Sequence, residues 1–318
     1  MLNKLKNDVL NNKSISRSDM NTLLSAPLDK LCTASNEIRQ FFCGSGIELC
    51  SIISGKGGHC SENCKFCAQG SARHDSDAPV FGFLDADTIT KDCRYHAESG
   101  VHRYSVVTAG RTLNGADFEK ATAAYKKMHN ECPKTGLCAS HGLLNYEQLK
   151  KLKECGVTRY HCNIETSQEY FRNICTTHTF EDKIKTIKAA KQAGLEICSG
   201  GIIGMGESMA DRVDMAFELK ELGVVSVPIN ILTPIKGTPL ENISPISKEE
   251  VLRTIAVFRF VLPKVRIRLA AGRKSIEGNG LKAFFCGANA AITGDMLTTS
   301  GSTIKEDINM LKANGFEV

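Results

Sequence analysis

The sequence predicts an α/β fold of the (β/α)8 TIM barrel class with an N-terminal helical arm. In four segments, a polar stretch with helical periodicity ends in a glycine, and a run of β-branched or apolar residues follows at once. These glycines are Gly100, Gly156, Gly194 and Gly223. A glycine just past a helix end takes a left-handed conformation that other residues resist, so each marks a helix end followed by a strand. Such alternation predicts a parallel sheet with crossover helices.

The number of strand candidates favours a closed barrel over the alternative, an open doubly wound sheet. There are eight candidates, at residues 48–53, 103–108, 136–140, 157–164, 195–201, 224–231, 264–270 and 287–292. Eight such units suit a barrel, for which about 250 residues is typical. We expect residues 1–45 to form the helical arm and residues 46–318 to form the barrel with a C-terminal substrate-binding segment.

Helix starts are marked as well as helix ends. Ser247 and Glu250 have the spacing of a capping box, and Ser208 with Asp211 is a weaker version of the same pattern. Both predict the first turn of a helix, and Pro263 is expected to end the helix that starts at Ser247.

Charge and composition exclude several classes of protein. The chain has 40 basic and 35 acidic residues, a net charge of +5, and no basic block, so we expect no nucleic-acid or membrane-surface partner. No apolar run approaches the roughly 18 residues of a membrane span, and residues 1–14 lack the apolar stretch of a signal peptide. A cytoplasmic location is expected, where the 14 cysteines stay reduced and serve in packing, reactivity or metal binding.

Three of the cysteines form a compact motif. Cys60, Cys64 and Cys67 have the spacing C-x3-C-x2-C in the loop after the first predicted strand, at the end of the barrel where active sites lie. Three thiolates can hold three irons of a [4Fe–4S] cube and leave the fourth iron open for a substrate. A structural zinc site would need a fourth ligand, and His59 is poorly placed to chelate beside Cys60.

The motif, with Phe66 before its last cysteine, resembles the signature of the radical S-adenosylmethionine (SAM) enzymes, and within them the chain resembles the biotin synthases. The resemblance extends from about residue 45 to 300. The matching stretches occur in order and at similar spacing: Cys64–Gln69, Tyr160–Ser167, Cys198–Glu207, Val227–Asn230, Lys236–Leu240 and Arg268–Arg273.

The resemblance implies a sulfur-insertion enzyme that converts dethiobiotin to biotin. In such enzymes SAM is reduced at the open iron, a 5′-deoxyadenosyl radical removes hydrogen from unactivated carbons, and an auxiliary iron–sulfur cluster, [2Fe–2S] or larger, donates sulfur. Because an unactivated C–H bond offers no acid–base handle, a cofactor must carry this chemistry. The resemblance also implies an electron donor such as flavodoxin or ferredoxin, and a homodimer. The alternatives are another small-molecule radical SAM enzyme, such as a maturase or mutase, and a non-catalytic zinc or electron-transfer protein.

Residues for SAM and the substrate follow from the same resemblance. Asn163 would contact SAM and substrate, Glu165 the SAM ribose and Ile202 the adenine, while Asn230 would bind the ureido ring. Strand alternation independently predicts that His161, Asn163 and Glu165 face the barrel interior, with His161 either a ligand or a polar core residue. The backbone at Thr298 and Thr299 would hold the dethiobiotin carboxylate.

The auxiliary cluster departs from the family pattern of three cysteines and one arginine. Cys138, Cys198 and Arg268 match that pattern, but the remaining cysteine position is Ser105, and a hydroxyl is a poor iron ligand. Barrel layers are built from alternate strands, which predicts Cys50 on the first strand as the substitute. Other residues considered for this position are Cys43, Cys162 and Cys175. The remaining cysteines are assigned to packing or surface: Cys32, Cys93, Cys132, Cys155 and Cys286.

Overall fold

The structure is a computed structural model that describes residues 1–58, 60–73, 78–294 and 301–318. Three helices precede the barrel: α1 (Leu2–Leu10), α2 (Met20–Ser25) and α3 (Leu28–Cys43). The barrel strands are β1 (Glu48–Lys56), β2 (Arg103–Thr108), β3 (Gly136–Ser140), β4 (Arg159–His161), β5 (Glu196–Cys198), β6 (Gly201–Ile203), β7 (Ser226–Ile231), β8 (Arg266–Leu269) and β9 (Ala290–Ile292). The other helices are α4 (Ala86–Glu98), α5 (Gly115–Glu131), α6 (Tyr146–Glu154), α7 (Phe180–Gln192), α8 (Met209–Leu222), α9 (Lys248–Val261), α10 (Leu281–Phe284) and α11 (Ile304–Ala313).

All strand pairings between these elements are parallel, and they close into a barrel. β1 pairs with β2 on one side and with β9 on the other, and the order continues through β5 and β6 until β5 also pairs with β7. β5 and β6 are two halves of one barrel strand, because only residues 199 and 200 separate them. The eight-stranded (β/α)8 prediction is therefore confirmed, with the fifth strand interrupted at Gly200.

The glycines that follow the predicted helices have the expected backbone conformation. Gly100, Gly156, Gly194 and Gly223 have φ angles of 91°, 98°, 78° and 65°. A residue with a Cβ would be strained there, so each glycine allows the chain to leave its helix and enter the next strand. Four of the eight βα units thus owe their boundary to a local rule that is visible in the sequence.

The two capping patterns are both present, although their relative strength is reversed. Ser208 and Asp211 form a reciprocal capping box, in which each side chain accepts from the other residue's backbone N–H. Ser247 accepts from the backbone of Glu250 at 3.2 Å, and its hydroxyl also lies 3.0 Å from the Glu250 carboxylate. The carboxylate of Glu250 contacts the Ser247 hydroxyl and Arg212, the latter at 3.3 Å, and not the backbone N–H of Ser247, so the second box is incomplete.

Two cysteines assigned to packing or surface have a different role. Cys32 in α3 and Cys286 after α10 form a disulfide, although 254 positions separate them in the sequence. The packing of the N-terminal helices against the barrel brings them together, and this proximity cannot be read from sequence spacing. Within the described residues, no helix combines the length and the apolar character needed to cross a bilayer.

Candidate active site

A cavity of 310 Å³ runs down the barrel from the mouth formed by the carboxyl ends of the strands. Its upper wall includes Cys67 of the cysteine loop, Asn163, Glu165 and Ile202. Asn230 pairs with Ile202 and lies at the same level. The deeper wall includes three further thiols, Cys50, Cys138 and Cys198, together with Arg268, Ser105 and His161. This volume falls in the range of small-molecule sites, and its position matches the active-site end of barrel enzymes.

The loop with Cys60, Cys64 and Cys67 is folded back on itself by its own backbone. The Cys60 N–H donates to the carbonyl of Gln69 at 2.8 Å, and the Cys67 N–H donates to the carbonyl of Cys64 at 3.0 Å. The backbone N–H of Gln69 lies 3.4 Å from the sulfur of Cys67, where it can stabilise a thiolate. All three thiols are partly buried, and Cys67 lines the cavity.

These three sulfurs are spread too widely for a single metal ion. Among the described residues, the one set of three cysteine, histidine or carboxylate ligand atoms within 4.8 Å of one another does not include Cys60 or Cys67. A mononuclear site needs converging ligands, whereas the irons of a cube are each held by a separate thiolate. The donor set therefore fits an iron–sulfur cube better than a zinc ion.

The polar upper wall is built where β4 runs out towards the mouth. The side chains of Asn163 and Glu165 line the cavity, and the Asn163 amide donates to the Glu165 carboxylate at 3.3 Å. Glu165 has a φ of 71°, a left-handed conformation that is uncommon for a residue with a side chain and concentrates at functional sites. Lys183 of α7 lies 3.9 Å from the same carboxylate, so its positive charge balances the negative charge of Glu165.

The glycine-rich segment after β5 is joined to this wall by backbone hydrogen bonds. The Glu165 N–H donates to the Gly200 carbonyl at 3.1 Å, and the Ile202 N–H donates to the Glu165 carbonyl at 2.9 Å. A Cβ added to Gly201 would lie much closer than 3.0 Å to the Glu165 carbonyl oxygen, and such atoms clash below 3.0 Å. Close approach of the two backbones therefore requires glycine here, and it places Ile202 beside Glu165 at the cavity surface.

The thiols of the deeper wall come from alternate strands, β1, β3 and β5. The neighbouring Cys50 thiol, together with the positive charges of Arg103 and Arg159, lowers the pKa of the Cys138 thiol in spite of its burial. The neighbouring Cys138 and burial raise the pKa of the Cys50 thiol, so Cys138 is the member of this pair that favours the thiolate.

Below these thiols lies a charged floor, Glu48 with Arg103, Arg159 and Arg268, of which sequence reasoning identified only Arg268. The Glu48 carboxylate accepts from Arg159 at 3.0 Å and also from Arg268. Arg103 donates to the Cys138 sulfur at 3.3 Å. A signal for the missed residues exists, because Glu48, Arg103 and Arg159 each precede an interior residue by two positions and so share its face of the strand.

The other cysteines considered for the auxiliary site lie away from its thiols. Cys43 ends α3 with its sulfur 3.6 Å from Arg259, and Cys162 is buried in the hydrophobic core outside the cavity. Cys175 lies beside the cysteine loop, with its sulfur 3.8 Å from that of Cys64. Thr298 and Thr299 lie outside the described residues.

Comparison with protein families assigns both halves of the chain. The profile of the Radical SAM superfamily matches residues 56–219, which include the cysteine loop and the polar upper wall. The profile of the Biotin and Thiamin Synthesis associated domain matches residues 228–317, which include Asn230 and Arg268.

Solved structures with the same fold include methylornithine synthase, with a TM-score of 0.84 and 21% sequence identity over 98% of this chain and 96% of that one. A maturase of the [FeFe]-hydrogenase has a TM-score of 0.83 and 15% identity over 99% of this chain and 74% of that one. At these identities the likeness supports the barrel fold and nothing finer.

Curated relatives are much more similar in sequence. Biotin synthase from Clostridium beijerinckii is 54% identical over 318 residues, covering 100% of both chains. Biotin synthase from Alkaliphilus metalliredigens is 52% identical over 318 residues, covering 100% of this chain and 99% of that protein. Identity of this extent, together with the two profiles and a thiol-lined barrel, shows that the chain belongs to the biotin synthase family of radical SAM enzymes.

Proposed function

We propose that this protein inserts sulfur into dethiobiotin to make biotin, with both cofactors facing one continuous cavity. The observation that carries the proposal is the composition of that cavity. Cys67 of the cysteine loop is at its mouth, and the thiols of Cys50, Cys138 and Cys198 lie deeper in the same space. A substrate held between them would have a radical source on one side and a sulfur source on the other.

We assign Cys60, Cys64 and Cys67 as the ligands of a [4Fe–4S] cluster that binds SAM. When bound, this cluster supplies the electron that cleaves SAM to methionine and the 5′-deoxyadenosyl radical. The chain's own contribution is to hold three thiolates and leave one coordination position free for the cofactor. Burial raises the pKa of the Cys67 thiol, and the backbone N–H of Gln69, 3.4 Å from its sulfur, opposes that rise.

Asn163, Glu165 and Ile202 are proposed to bind SAM. The Glu165 carboxylate can accept from ribose hydroxyls, and the Asn163 amide that donates to it fixes its orientation. Ile202 offers an apolar surface to the adenine, and its backbone is held to Glu165 by the hydrogen bond at 2.9 Å. Together these residues would hold the cofactor in the same cavity that Cys67 of the cysteine loop lines.

Asn163 and Asn230 are proposed to bind dethiobiotin. The Asn230 side chain donates to the Gly201 carbonyl at 3.1 Å and accepts from the Ala271 N–H at 3.2 Å. A carboxamide has a second N–H and a second acceptor lone pair, which remain to pair with a ureido ring. Its contacts with the backbone fix the direction of that pairing. Thr298 and Thr299 are proposed to hold the substrate carboxylate.

Cys50, Cys138, Cys198 and Arg268 are proposed to hold the auxiliary cluster. The three thiols face the cavity, and the lowered pKa of Cys138 favours its thiolate, the form that binds iron. Arg268 donates to the Ala291 carbonyl at 3.1 Å and to Glu48, which fixes its guanidinium beside these thiols. This arrangement suits hydrogen bonding to cluster sulfur as well as ligation. Because Ser105 replaces a thiolate, Cys50 completes the cysteine set.

The function is tested by anaerobic reconstitution with iron and sulfide, followed by dithionite, SAM and dethiobiotin. We expect biotin and 5′-deoxyadenosine, both measured by mass spectrometry. Deoxyadenosine without biotin would retain the radical SAM assignment and refute sulfur insertion into this substrate.

The role of Cys50 is tested by Cys50→Ser, with Cys162→Ser as the matched control, because both thiols are buried but only Cys50 lines the cavity. We expect Cys50→Ser to lose auxiliary iron and sulfide and to make no biotin, and the control to keep its full content. Full auxiliary iron and biotin yield in Cys50→Ser would refute the ligand set.

The physiological partners remain predictions. We propose a small electron donor such as flavodoxin or ferredoxin and a homodimer, both supported by the family resemblance, and a cytoplasmic location. The donor is tested by replacing dithionite with reduced flavodoxin or ferredoxin, and the homodimer by light scattering. A monomer at micromolar concentration would refute the latter.

A further inference from the structure

The outer side of the cysteine loop contains a set of metal-binding side chains that the proposed reaction does not use. Cys175 and His178, in the segment before α7, are buried against Cys64. The sulfurs of Cys64 and Cys175 are 3.8 Å apart, and the Cys175 sulfur lies 3.3 Å from Nδ1 and 3.8 Å from Nε2 of His178. All three ligand atoms lie within 4.8 Å of one another.

These separations match the edges of a zinc tetrahedron. With Zn–S bonds of about 2.3 Å and Zn–N bonds of about 2.0 Å, two sulfurs on one ion are about 3.8 Å apart and a sulfur and a nitrogen about 3.5 Å. The observed sulfur–sulfur distance equals the first value, and the distance of 3.8 Å from the Cys175 sulfur to Nε2 of His178 is close to the second. Two thiolates and an imidazole are also the donor types that zinc prefers.

The surroundings of His178 resemble the outer shell of a zinc site. Glu62 lies 2.5 Å from Nδ1 of His178 and is itself buried. A carboxylate on one ring nitrogen orients a histidine so that the other nitrogen can bind a metal. Glu62 is also held by the Thr177 hydroxyl at 2.9 Å, so its position does not depend on the histidine.

An ion can reach this position without passing through the barrel. A second cavity of 740 Å³ opens at the surface beside α7 and includes Cys175 and His178 in its wall. Neither residue lines the barrel cavity, whose deeper wall contains Cys50, Cys138 and Cys198. A ligand set, an orienting carboxylate and an access route are the features that identify a metal site.

We propose that Cys64, Cys175 and His178 form a zinc site in the cluster-free chain, with a water as the fourth ligand. Because Cys64 is also a proposed ligand of the [4Fe–4S] cluster, zinc at this site and a complete cluster exclude each other. Zinc would therefore hold the loop until iron and sulfide are supplied, and excess zinc would oppose cluster assembly.

The test measures binding of Zn²⁺, and of Co²⁺ as its spectroscopic substitute, to the full-length chain stripped of metals and kept reduced. Cys175→Ala is compared with Cys162→Ala, a buried cysteine that lines neither cavity. Zinc that binds to the thiols of the deeper wall or to the other loop cysteines does so in both variants, so it cancels in the comparison. His178→Gln serves as a second ligand variant if Cys175→Ala does not fold by circular dichroism.

We expect the wild type and Cys162→Ala to bind one zinc ion more than Cys175→Ala, with thiolate charge-transfer absorption for Co²⁺. Removal of the orienting carboxylate in Glu62→Gln should weaken this ion by about 10- to 100-fold. Zinc added before reconstitution should reduce the [4Fe–4S] content of the wild type but not that of Cys175→Ala, in which the competing ion is absent.

Equal zinc stoichiometry and affinity in wild type and Cys175→Ala would overturn the proposal, as would equal inhibition of cluster assembly by zinc in both. Biotin formation is not the readout. Failure of this inference would therefore leave the proposed function intact, and failure of the biotin assay would leave the zinc result standing.

Discussion

The carboxylate of Glu48 is the negative charge that stabilises the floor of the active site, and its removal gives a measurable prediction. Its side chain is 17% exposed, and those of its partners Arg159 and Arg268 are 7% and 3% exposed. Burial opposes ionisation of Glu48, but the charges of Arg268 and Arg159 outweigh it and lower the pKa of that carboxyl from 4.5 to about 2. We therefore expect Glu48→Gln, which keeps the shape and removes the charge, to destabilise the fold.

The size of the effect follows from this pKa difference. At 1.36 kcal/mol per pKa unit, the shift corresponds to about 3 kcal/mol, similar to the roughly 3–5 kcal/mol lost when one partner of a buried ion pair is removed. Because the folded-state pKa is below the unfolded value, this stabilisation is present above pH 4.5 and is lost as the pH falls through about 2. At pH 3 it should be about 1.4 kcal/mol.

The assay is urea unfolding of the cluster-free, reduced chain, followed by circular dichroism at neutral pH and near pH 3. Glu196→Gln is the matched control, because Glu196 contacts the same Arg159 at 2.9 Å but is 49% exposed. We expect it to cost less than about 1 kcal/mol. A loss below 1 kcal/mol for Glu48→Gln, or one that does not shrink towards pH 3, would refute the assignment of Glu48 as the stabilising charge.

Two further substitutions test a contact at the cavity wall and a contact of α11. Gly201→Ala would force the backbone away from the Glu165 carbonyl, so we expect a raised KM for SAM and a loss of about 1–3 kcal/mol, whereas Gly46→Ala, with open space around it, should be neutral. Asp307→Asn breaks the buried ion pair between Arg273 and α11, and thermal unfolding should show a loss of about 3–5 kcal/mol. An unchanged KM in the first variant, or a loss under 1 kcal/mol in the second, would contradict these assignments.

Much of the fold could be predicted because the residues that end its helices act locally. The conformation at Gly100 or Gly156 depends on steric limits within a few residues, so the sequence reports the helix ends directly. Strand lengths were less predictable. The candidate at 157–164 is a regular strand only over Arg159–His161, because beyond it the chain bends to place Glu165 in a left-handed conformation beside Gly201. Pairing with a distant segment decides that bend.

The candidate site was predictable to different degrees at its two ends. The C-x3-C-x2-C motif is contiguous, so its residues are close together in any fold. Alternation along strands indicated that Asn163 and Glu165 face the interior, and both line the cavity. The charged floor could not be predicted in this way, because the contact of Glu48 with Arg159 joins residues 111 positions apart and depends on barrel closure. Alternation along the strand would also have predicted an interior position for Glu48, but it could not have identified the arginines that Glu48 contacts.

The barrel class, the cysteine loop and the family can be predicted without coordinates, because they depend on short-range spacing and on ordered motifs. Which distant side chains meet depends instead on how the chain folds. The tertiary structure placed Cys175 against Cys64, joined Cys32 to Cys286, and set Glu48 between two arginines. The physical reason is that such contacts depend on the register in which eight strands close, and no local pattern along the chain encodes that register.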